Sequence, residues 1–241
     1  MNTNSNTYTL VYATVMVVIV ALMLAFVSGA LKEKQNSNIE LDKKKQILKS
    51  LRIDAKQNNI AQLYDQYVIK GLIVNTNGEI LSYSKKEAFD IDIAKELSKK
   101  VEERRLPIFI AQVEGETKYI ISLRGTGLWG PIWGYVSLND DKNTIYGAYF
   151  SHASETPGLG ANIAEPNFQR QFEGKHIFNE KNEFVSIAVM KVGKKAEGRE
   201  QVDAISGGTI TSKGVETMLL NCIGQYEAFF RQLSTIGEIK Q

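Results

Sequence analysis

A long run of apolar residues comes first in the chain. No charged side chain occurs before Lys32, and the segment LVYATVMVVIVALMLAFVSGAL extends from Leu10 to Leu31. At ~1.5 Å per residue, about 22 helical residues span roughly 33 Å, which is enough to cross the hydrocarbon core of a bilayer. The pattern therefore predicts a tail over residues 1–9 and a single transmembrane helix over residues 10–31.

A cleaved signal peptide is the alternative interpretation of this run. Ser28, Gly29 and Ala30 resemble the small residues of a cleavage site. The positively charged segment that opens a signal peptide is missing, however, and the run is longer than the usual apolar core of about 7–15 residues. These two features favour a retained anchor.

Helical periodicity follows the anchor. Apolar residues recur near one face over residues 39–53, with lysines on the opposite face. The other predicted helices cover residues 60–69, residues 91–101, and a closing helix with Ser212 as N-cap and Glu216 in its first turn.

Strands are predicted by alternation of apolar and polar residues in the middle of the chain. Residues 72–84 form a predicted hairpin with Asn77-Gly78 at its turn, because this dipeptide suits tight hairpin turns. Further strands are predicted over residues 106–150, with a turn at Asp140-Asp141, and over residues 183–192.

The order of these elements predicts the fold class. Strands and helices are mixed without a regular strand–helix alternation, which favours an α+β fold. We expect an N-terminal helix and hairpin region over residues 32–105 and a strand-based body over residues 106–241.

Charge and cysteine content exclude some classes of protein. The formal net charge is +2, from 29 Lys and Arg against 27 Asp and Glu, which is too balanced to indicate a nucleic-acid partner. The one cysteine, Cys222, excludes an intrachain disulfide and a Cys-rich metal site, and its apolar setting favours inert packing on a helix. His152 and His176 are isolated from each other, so no metal site is predicted.

The segment DAISGGTITSKG, residues 203–214, is rich in glycine and hydroxyl side chains. It matches neither the GxxxxGK[ST] nor the GxGxxG spacing of nucleotide-binding loops. A glycine-rich turn that leads into a helix can still bind an anion, because free backbone N–H groups and the helix dipole point the same way. The alternative is a flexible turn capped by Ser212.

A family resemblance extends this interpretation. DAISGGT resembles the flavinylation motif Asp-x-x-Ser/Thr-Gly-Ala-Thr of bacterial membrane redox subunits that carry covalent FMN. The segments NIELDKKKQILKSLRI, RGTGLWGPIWGYVSL and ETPGLGANI are similar to the C subunit, the covalent-FMN subunit, of the sodium-translocating NADH:quinone oxidoreductase, and the resemblance covers nearly the whole chain. This chain differs from the family motif at Gly208, where the family usually has alanine.

The resemblance implies a flavin site in the 106–241 region. FMN is expected to be joined through its phosphate to the oxygen of Thr209, by a Mg-dependent FMN transferase that uses FAD outside the cytoplasm. Asp203 is expected to hold the loop or a metal during transfer, and Lys191 to lie near the flavin N1 and C2 carbonyl, unless it is a solvated strand-end lysine. The other residues predicted to contact FMN are Ser206, Gly207, Gly208, Thr211, Trp129, Glu155, Thr156, Gly158, Leu159 and Gly160.

Several of these residues have structural alternatives. Trp129 is expected to stack near the isoalloxazine, although core packing is an equally good explanation for it. Leu159 would supply an apolar face and Thr156 a hydrogen bond, whereas the residues alone indicate only a turn. Glu155 is expected either at the surface or bonded to the backbone of its own loop.

The function implied is electron transfer within a membrane complex. The chain has no recognisable NADH fingerprint, so it would carry electrons between partner subunits, and sodium transport would belong to the whole complex. Two alternatives stay open: the corresponding flavin subunit of an Rnf-type ferredoxin:NAD oxidoreductase, and a structural subunit without a redox role.

Membrane sidedness receives conflicting indications. The lysines that follow the anchor favour a cytoplasmic body by the positive-inside rule, although this rule weakens before a long folded domain. The resemblance implies a periplasmic body anchored in the bacterial inner membrane, and this is our expectation. The expected partners are the other subunits of the complex, the FMN transferase and membrane lipid, with no nucleic acid.

Overall fold

The computed structural model describes residues 5–56 and 58–238, and it describes side chains up to residue 232. The chain divides into one unit that ends at Lys43 and a second that begins at Lys44. The helices and strands in chain order are α1 (Asn6–Ser50), α2 (Ile60–Tyr67), β1 (Val68–Val74), β2 (Ile80–Ser82), α3 (Lys85–Asp90), α4 (Ile93–Ser98), β3 (Leu106–Val113), β4 (Glu116–Thr126), β5 (Pro131–Leu138), β6 (Ile145–His152), α5 (Pro166–Gln169), β7 (Ala188–Met190), β8 (Gln201–Asp203), α6 (Thr209–Ile223) and α7 (Glu227–Glu238).

The first unit consists mainly of the apolar part of α1. An 18-residue window of this helix has a mean hydropathy of 2.8, and none of that window is buried. Its length and composition are sufficient to cross a membrane, in agreement with the anchor predicted over residues 10–31. The separate helix predicted over residues 39–53 is instead the continuation of α1, which ends at Ser50.

The second unit is built on an antiparallel sheet of six strands in the order β2-β1-β3-β4-β5-β6. Helix α6 packs against β4 and buries Val215, Met218 and Leu219 in the main core. The sheet therefore carries helices on its faces, and the predicted α+β class is confirmed.

The last turn of α1 covers part of β5. Side chains alternate along a strand, so Trp133 and Ser137 share a face of β5. Trp133 donates from Nε1 to Gln46 at 3.1 Å, and the Ser137 hydroxyl donates to the Ser50 carbonyl at 2.6 Å. These bonds join the start of the second unit to its sheet.

The boundary predicted at residue 105 lies within one sheet. Strand β1, before this position, pairs with β3, which begins at Leu106. Residues from Lys44 onward form one compact unit. The division into residues 32–105 and 106–241 stays a prediction about regions of the sequence.

Some predicted elements differ from those observed. The strand predicted over residues 183–192 is formed only at Ala188–Met190, where β7 pairs in parallel with β8, a strand that the sequence patterns did not indicate. The prediction that Ser212 caps the closing helix is wrong, because α6 begins at Thr209 with Gly208 in the N-cap position. The Ser212 hydroxyl instead accepts a hydrogen bond from the Ile205 amide at 3.0 Å.

Candidate functional site

The glycine-rich segment forms a tight turn between β8 and α6. The Ala204 amide extends the pairing of β8 by donating to the Met190 carbonyl at 2.7 Å, and the Gly208 amide closes the turn on the Ile205 carbonyl at 3.0 Å. Gly207 has a φ of +74°, a conformation that glycine adopts without the steric cost of a side chain. The 204–208 turn therefore delivers the chain directly into the first residue of α6.

The hydroxyl groups that follow this turn have different environments. Thr209 is exposed at the first position of α6. Thr211 and Ser212 are each 1% exposed, and both hydroxyls take part in hydrogen bonds inside the protein. Thr209 is thus accessible to an external enzyme, whereas Thr211 and Ser212 are not.

Glu155 connects this helix start to two loops. Its side chain is 5% exposed, and one carboxylate oxygen, Oε1, accepts a hydrogen bond from the Trp129 amide at 2.8 Å. The other oxygen, Oε2, accepts from the Thr211 hydroxyl in α6. Glu155 is therefore neither a surface residue nor bonded only to the backbone of its own loop. Its carboxylate joins the 127–130 loop to α6.

Two glycines enclose this carboxylate. A Cβ atom on Gly127 would lie 2.5 Å from Glu155 Oε1, and a Cβ on Gly160 would lie 2.5 Å from Thr211 Oγ1. Both separations are far below van der Waals contact, so these positions have no room for a side chain. Glycine at both places is what allows the two loops to approach the carboxylate.

The 155–160 loop also contacts the 204–208 turn. A Cβ on Gly207 would lie 2.6 Å from Cδ2 of Leu159, so the leucine side chain lies against the turn. The Thr156 carbonyl accepts hydrogen bonds from the amides of Leu159 and Ala161. Thr156 and Gly158 are both exposed. The structure thus brings the predicted residues of the 155–160 loop beside those of the 203–209 motif.

Exposed apolar side chains occur in the same segments. Trp129 is 64% exposed, and Leu128, Leu159 and Ile210 are each between 42% and 58% exposed. Trp133, by contrast, is hydrogen-bonded to Gln46 and lies near the Arg124 guanidinium. Of the two tryptophans, Trp129 is therefore the one whose ring is available to a ligand.

A groove of about 560 Å³ runs along α6 from Thr209. It is lined by the end of β4 and one face of the helix, and it includes two cationic side chains, Arg124 and Lys213. Neither was among the residues predicted from the sequence. Lys213 follows Thr209 by four residues, which places it one helical turn away, and this spacing could have indicated it.

Comparison with known proteins identifies the family. Residues 127–224 match the model of the FMN-binding domain family. The C subunit of the Na(+)-translocating NADH-quinone reductase of Haemophilus ducreyi is 29% identical over 249 residues, covering 95% of this chain and 96% of the relative. That of Chlamydia muridarum is 30% identical and covers 81% of this chain and 73% of the relative. The chain belongs to the family of these C subunits.

Solved structures agree with the family assignment. The crystal structure of the C subunit from Parabacteroides distasonis has a TM-score of 0.77 and 46% identity, covering 83% of this chain and 96% of that one. The structure of NqrC from Shewanella oneidensis has a TM-score of 0.69 and 25% identity, covering 82% of this chain and 99% of that one. The resemblance stated from the sequence motifs is confirmed.

The residues that the structure brings together fit an FMN group. An exposed hydroxyl stands at the start of a 15-residue helix, whose dipole favours a phosphate at this end. Cationic side chains line the adjoining groove, and exposed apolar side chains of the two loops are suited to a flat ring. Every predicted contact residue lies within the matched range 127–224 of the family model.

Asp203 and Lys191 lie on neighbouring strand ends. Met190 pairs with Asp203 in the parallel β7–β8 ladder, and Lys191 is the next residue after Met190. Both side chains are exposed, and the Asp203 amide donates to the Gln171 side chain at 2.8 Å. Their predicted roles toward a metal or the flavin stay predictions.

The two histidines form hydrogen bonds in different parts of the body. Nδ1 of His152 accepts from the Glu155 amide at 3.2 Å, while Nδ1 of His176 pairs with the Glu200 carboxylate. Among the side chains of residues 5–56 and 58–232, no group of three His, Cys, Asp or Glu is placed to hold a metal ion.

Glu216 anchors α6 to β7. It is 4% exposed, and its carboxylate accepts from the Val189 amide, Arg199 and Lys213. Burial alone would raise the pKa of this carboxyl, but the hydrogen bonds from Lys213, Val189 and Arg199 outweigh burial and hold the pKa below its usual value. Glu216 is therefore an ionised structural contact, and it also restrains Lys213 at the groove.

Proposed function

We propose that this chain is the membrane-anchored flavin subunit of a sodium-translocating NADH:quinone oxidoreductase, with FMN joined through its phosphate to Thr209. The observation that supports the linkage most directly is the exposure of the Thr209 hydroxyl at the start of α6, next to the buried hydroxyls of Thr211 and Ser212. Membership of the C-subunit family supports the complex to which it belongs.

The attachment requires only a reachable hydroxyl in this chain. The Thr209 oxygen forms an ester bond to the FMN phosphorus of an FAD donor, the bond from that phosphorus to AMP breaks, and the hydroxyl proton is lost. The FMN transferase supplies the catalysis and needs access to the 204–208 turn, where Ser206 and Gly207 are exposed. Thr209 is an attachment point and takes no part in electron transfer.

The side chains around Thr209 would position the cofactor. Trp129 and Leu159 offer exposed apolar surfaces for the ring, and Lys191 and Lys213 offer positive charge that would favour a reduced anionic flavin. FMN, when bound, accepts and donates electrons. The chain acts as a carrier between partner subunits, and sodium transport belongs to the assembled complex.

The proposed location of the body is the periplasmic side of the bacterial inner membrane. A long apolar helix and membership of the C-subunit family support the anchor. Periplasmic placement rests on the requirement for a transferase that acts outside the cytoplasm, and the lysines after the anchor would contact lipid headgroups. A topology reporter fused after Gln241 tests this, and a cytoplasmic signal would contradict it.

The test of the linkage is the intact mass of the full chain. When the chain is co-expressed with the FMN transferase, we expect a gain of one FMN less one water, with flavin fluorescence that persists in a denaturing gel. Thr209→Ala should lose both. Thr217→Ala removes another exposed hydroxyl of α6 and should retain both.

Two results would contradict this proposal. A mass gain that persists in Thr209→Ala would place the linkage on another residue. An unmodified chain isolated from a fully active complex would favour the structural alternative, in which the anchor and loops serve only assembly.

A further inference from the structure

Glu155 has contacts that its position in the sequence does not explain. It is 56 residues from Thr211 and 26 residues from Trp129, yet its two carboxylate oxygens bond to both. The carboxylate is 5% exposed, and Gly127 and Gly160 enclose it without space for a side chain. A buried carboxylate that accepts a hydrogen bond at each oxygen holds its partners firmly, since leaving either bond unmade is costly.

The bond to Thr211 has a geometric consequence for Thr209. An α-helix turns by about 100° per residue, so side chains two positions apart lie on nearly opposite faces. Because Glu155 holds the Thr211 side chain inward, Thr209 at the first position of α6 faces outward. Exposure of Thr209 and burial of Thr211 agree with this relation.

Besides the Thr211 bond, one other side-chain hydrogen bond is described in the first turn of α6. Gly208 provides no side-chain cap, and the Ser212 amide bonds to the Gly208 carbonyl as in any helix. The Ser212 hydroxyl holds the preceding turn through the Ile205 amide. Among the side-chain contacts described here, the Glu155–Thr211 bond is the one that ties the first turn of α6 to the 155–160 loop.

We propose that Glu155 is a positioning residue for the flavin. By binding the Trp129 amide and the Thr211 hydroxyl together, it sets the rotation of the first turn of α6, so that Thr209 faces the transferase and the attached group lies against the 127–130 and 155–160 loops. This inference rests on the proposed attachment of FMN to Thr209. It assigns Glu155 a role through Thr211 and the loops, without contact with the reacting atoms.

The test compares side chains that keep or remove this bond. Thr211→Val keeps the shape of threonine and removes the hydroxyl, whereas Thr211→Ser keeps the hydroxyl. Glu155→Gln can still accept from Trp129 and can donate to Thr211, and Glu155→Leu can do neither. Glu96→Leu is the matched control for Glu155→Leu, because Glu96 is also buried and accepts a hydrogen bond from a backbone amide, that of Arg105, in another part of the body.

Two measurements are made on the full chain in detergent. The first is the rate of flavin attachment by the transferase with FAD, together with the fluorescence anisotropy of the attached flavin. The second is amide hydrogen exchange over residues 204–212 in the unmodified chain, which requires no flavin. Loss of one buried hydrogen bond should speed exchange in this segment by about tenfold.

We expect Thr211→Val and Glu155→Leu to slow attachment about tenfold, to lower the anisotropy of the attached flavin and to speed exchange over residues 204–212. Thr211→Ser and Glu155→Gln should stay close to the unaltered chain. Glu96→Leu should lower thermal stability without changing the attachment rate, the anisotropy or the exchange over residues 204–212, which separates positioning from general destabilisation.

The results that overturn the two proposals differ. If Thr211→Val and Glu155→Leu accept flavin at the original rate, with unchanged anisotropy and exchange, the positioning role is wrong and attachment at Thr209 stands. If the unaltered chain accepts no flavin at Thr209, the proposed function fails, and the positioning of the flavin fails with it.

Discussion

Gly160 offers the sharpest test of the packing around the candidate site. Replacement by alanine would place a Cβ atom 2.5 Å from the Thr211 hydroxyl oxygen and also against Oε2 of Glu155. Neither neighbour can move freely, because both are buried and bonded to each other. The new methyl group must therefore separate the Glu155–Thr211 pair or shift the 155–160 loop.

The cost follows from these two effects. Overpacking a dense core costs about 1–3 kcal/mol, and a buried polar group that loses its partner costs about 1–3 kcal/mol more. We expect Gly160→Ala to lower the free energy of unfolding by about 3 kcal/mol. For a body of this size, that corresponds to a fall in Tm of roughly 6–12 °C.

A second glycine in the same loop serves as the control. Gly158 has a φ of +76°, and a Cβ there would have no atom within 4 Å. Gly158→Ala should therefore cost only the backbone strain of about 1 kcal/mol. Thermal unfolding of the full chain in detergent measures both variants. A Tm for Gly160→Ala within about 2 °C of the unaltered chain would refute the close packing described here.

Three further predictions concern side chains outside this pair. The pKa of Glu216 is lowered in the folded protein, so its contribution to stability is complete above the ordinary pKa of about 4.3 and is lost as the pH falls toward the folded value. Thermal unfolding between about pH 3 and 6 should show a shallower pH dependence in Glu216→Gln, and an unchanged slope would contradict the assignment. Burial raises the pKa of Cys222 to about 11, so a maleimide reagent at neutral pH should label it only after denaturation. Trp133→Phe should cost about 1 kcal/mol in urea unfolding through loss of the bond to Gln46, whereas Trp129→Phe should be nearly neutral because that ring is 64% exposed.

Features that depend on local pattern could be predicted from the sequence alone. The anchor could be predicted because the apolarity of residues 10–31 needs no tertiary partner to be recognised. The hairpin at Asn77-Gly78 and the strands over residues 106–150 follow from turn chemistry and alternation, and the structure contains them. The motif segments were sufficient to indicate the C-subunit family, because they are long and occur in order.

The bonds that hold the candidate site together could not be predicted from local pattern. Glu155 and Thr211 are far apart in sequence, and a hydrogen bond between them leaves no periodic signal along the chain. The start of α6 was misplaced because serine is a common N-cap residue. In the folded protein the Ser212 hydroxyl instead accepts a hydrogen bond from the Ile205 amide. Strand β8 was missed because three residues are too few for a pattern, and its parallel pairing with β7 leaves no hairpin turn signal in the sequence. Local chemistry thus identifies the segment that carries Thr209, whereas the Glu155–Thr211 bond beside it forms only when segments distant in sequence pack together.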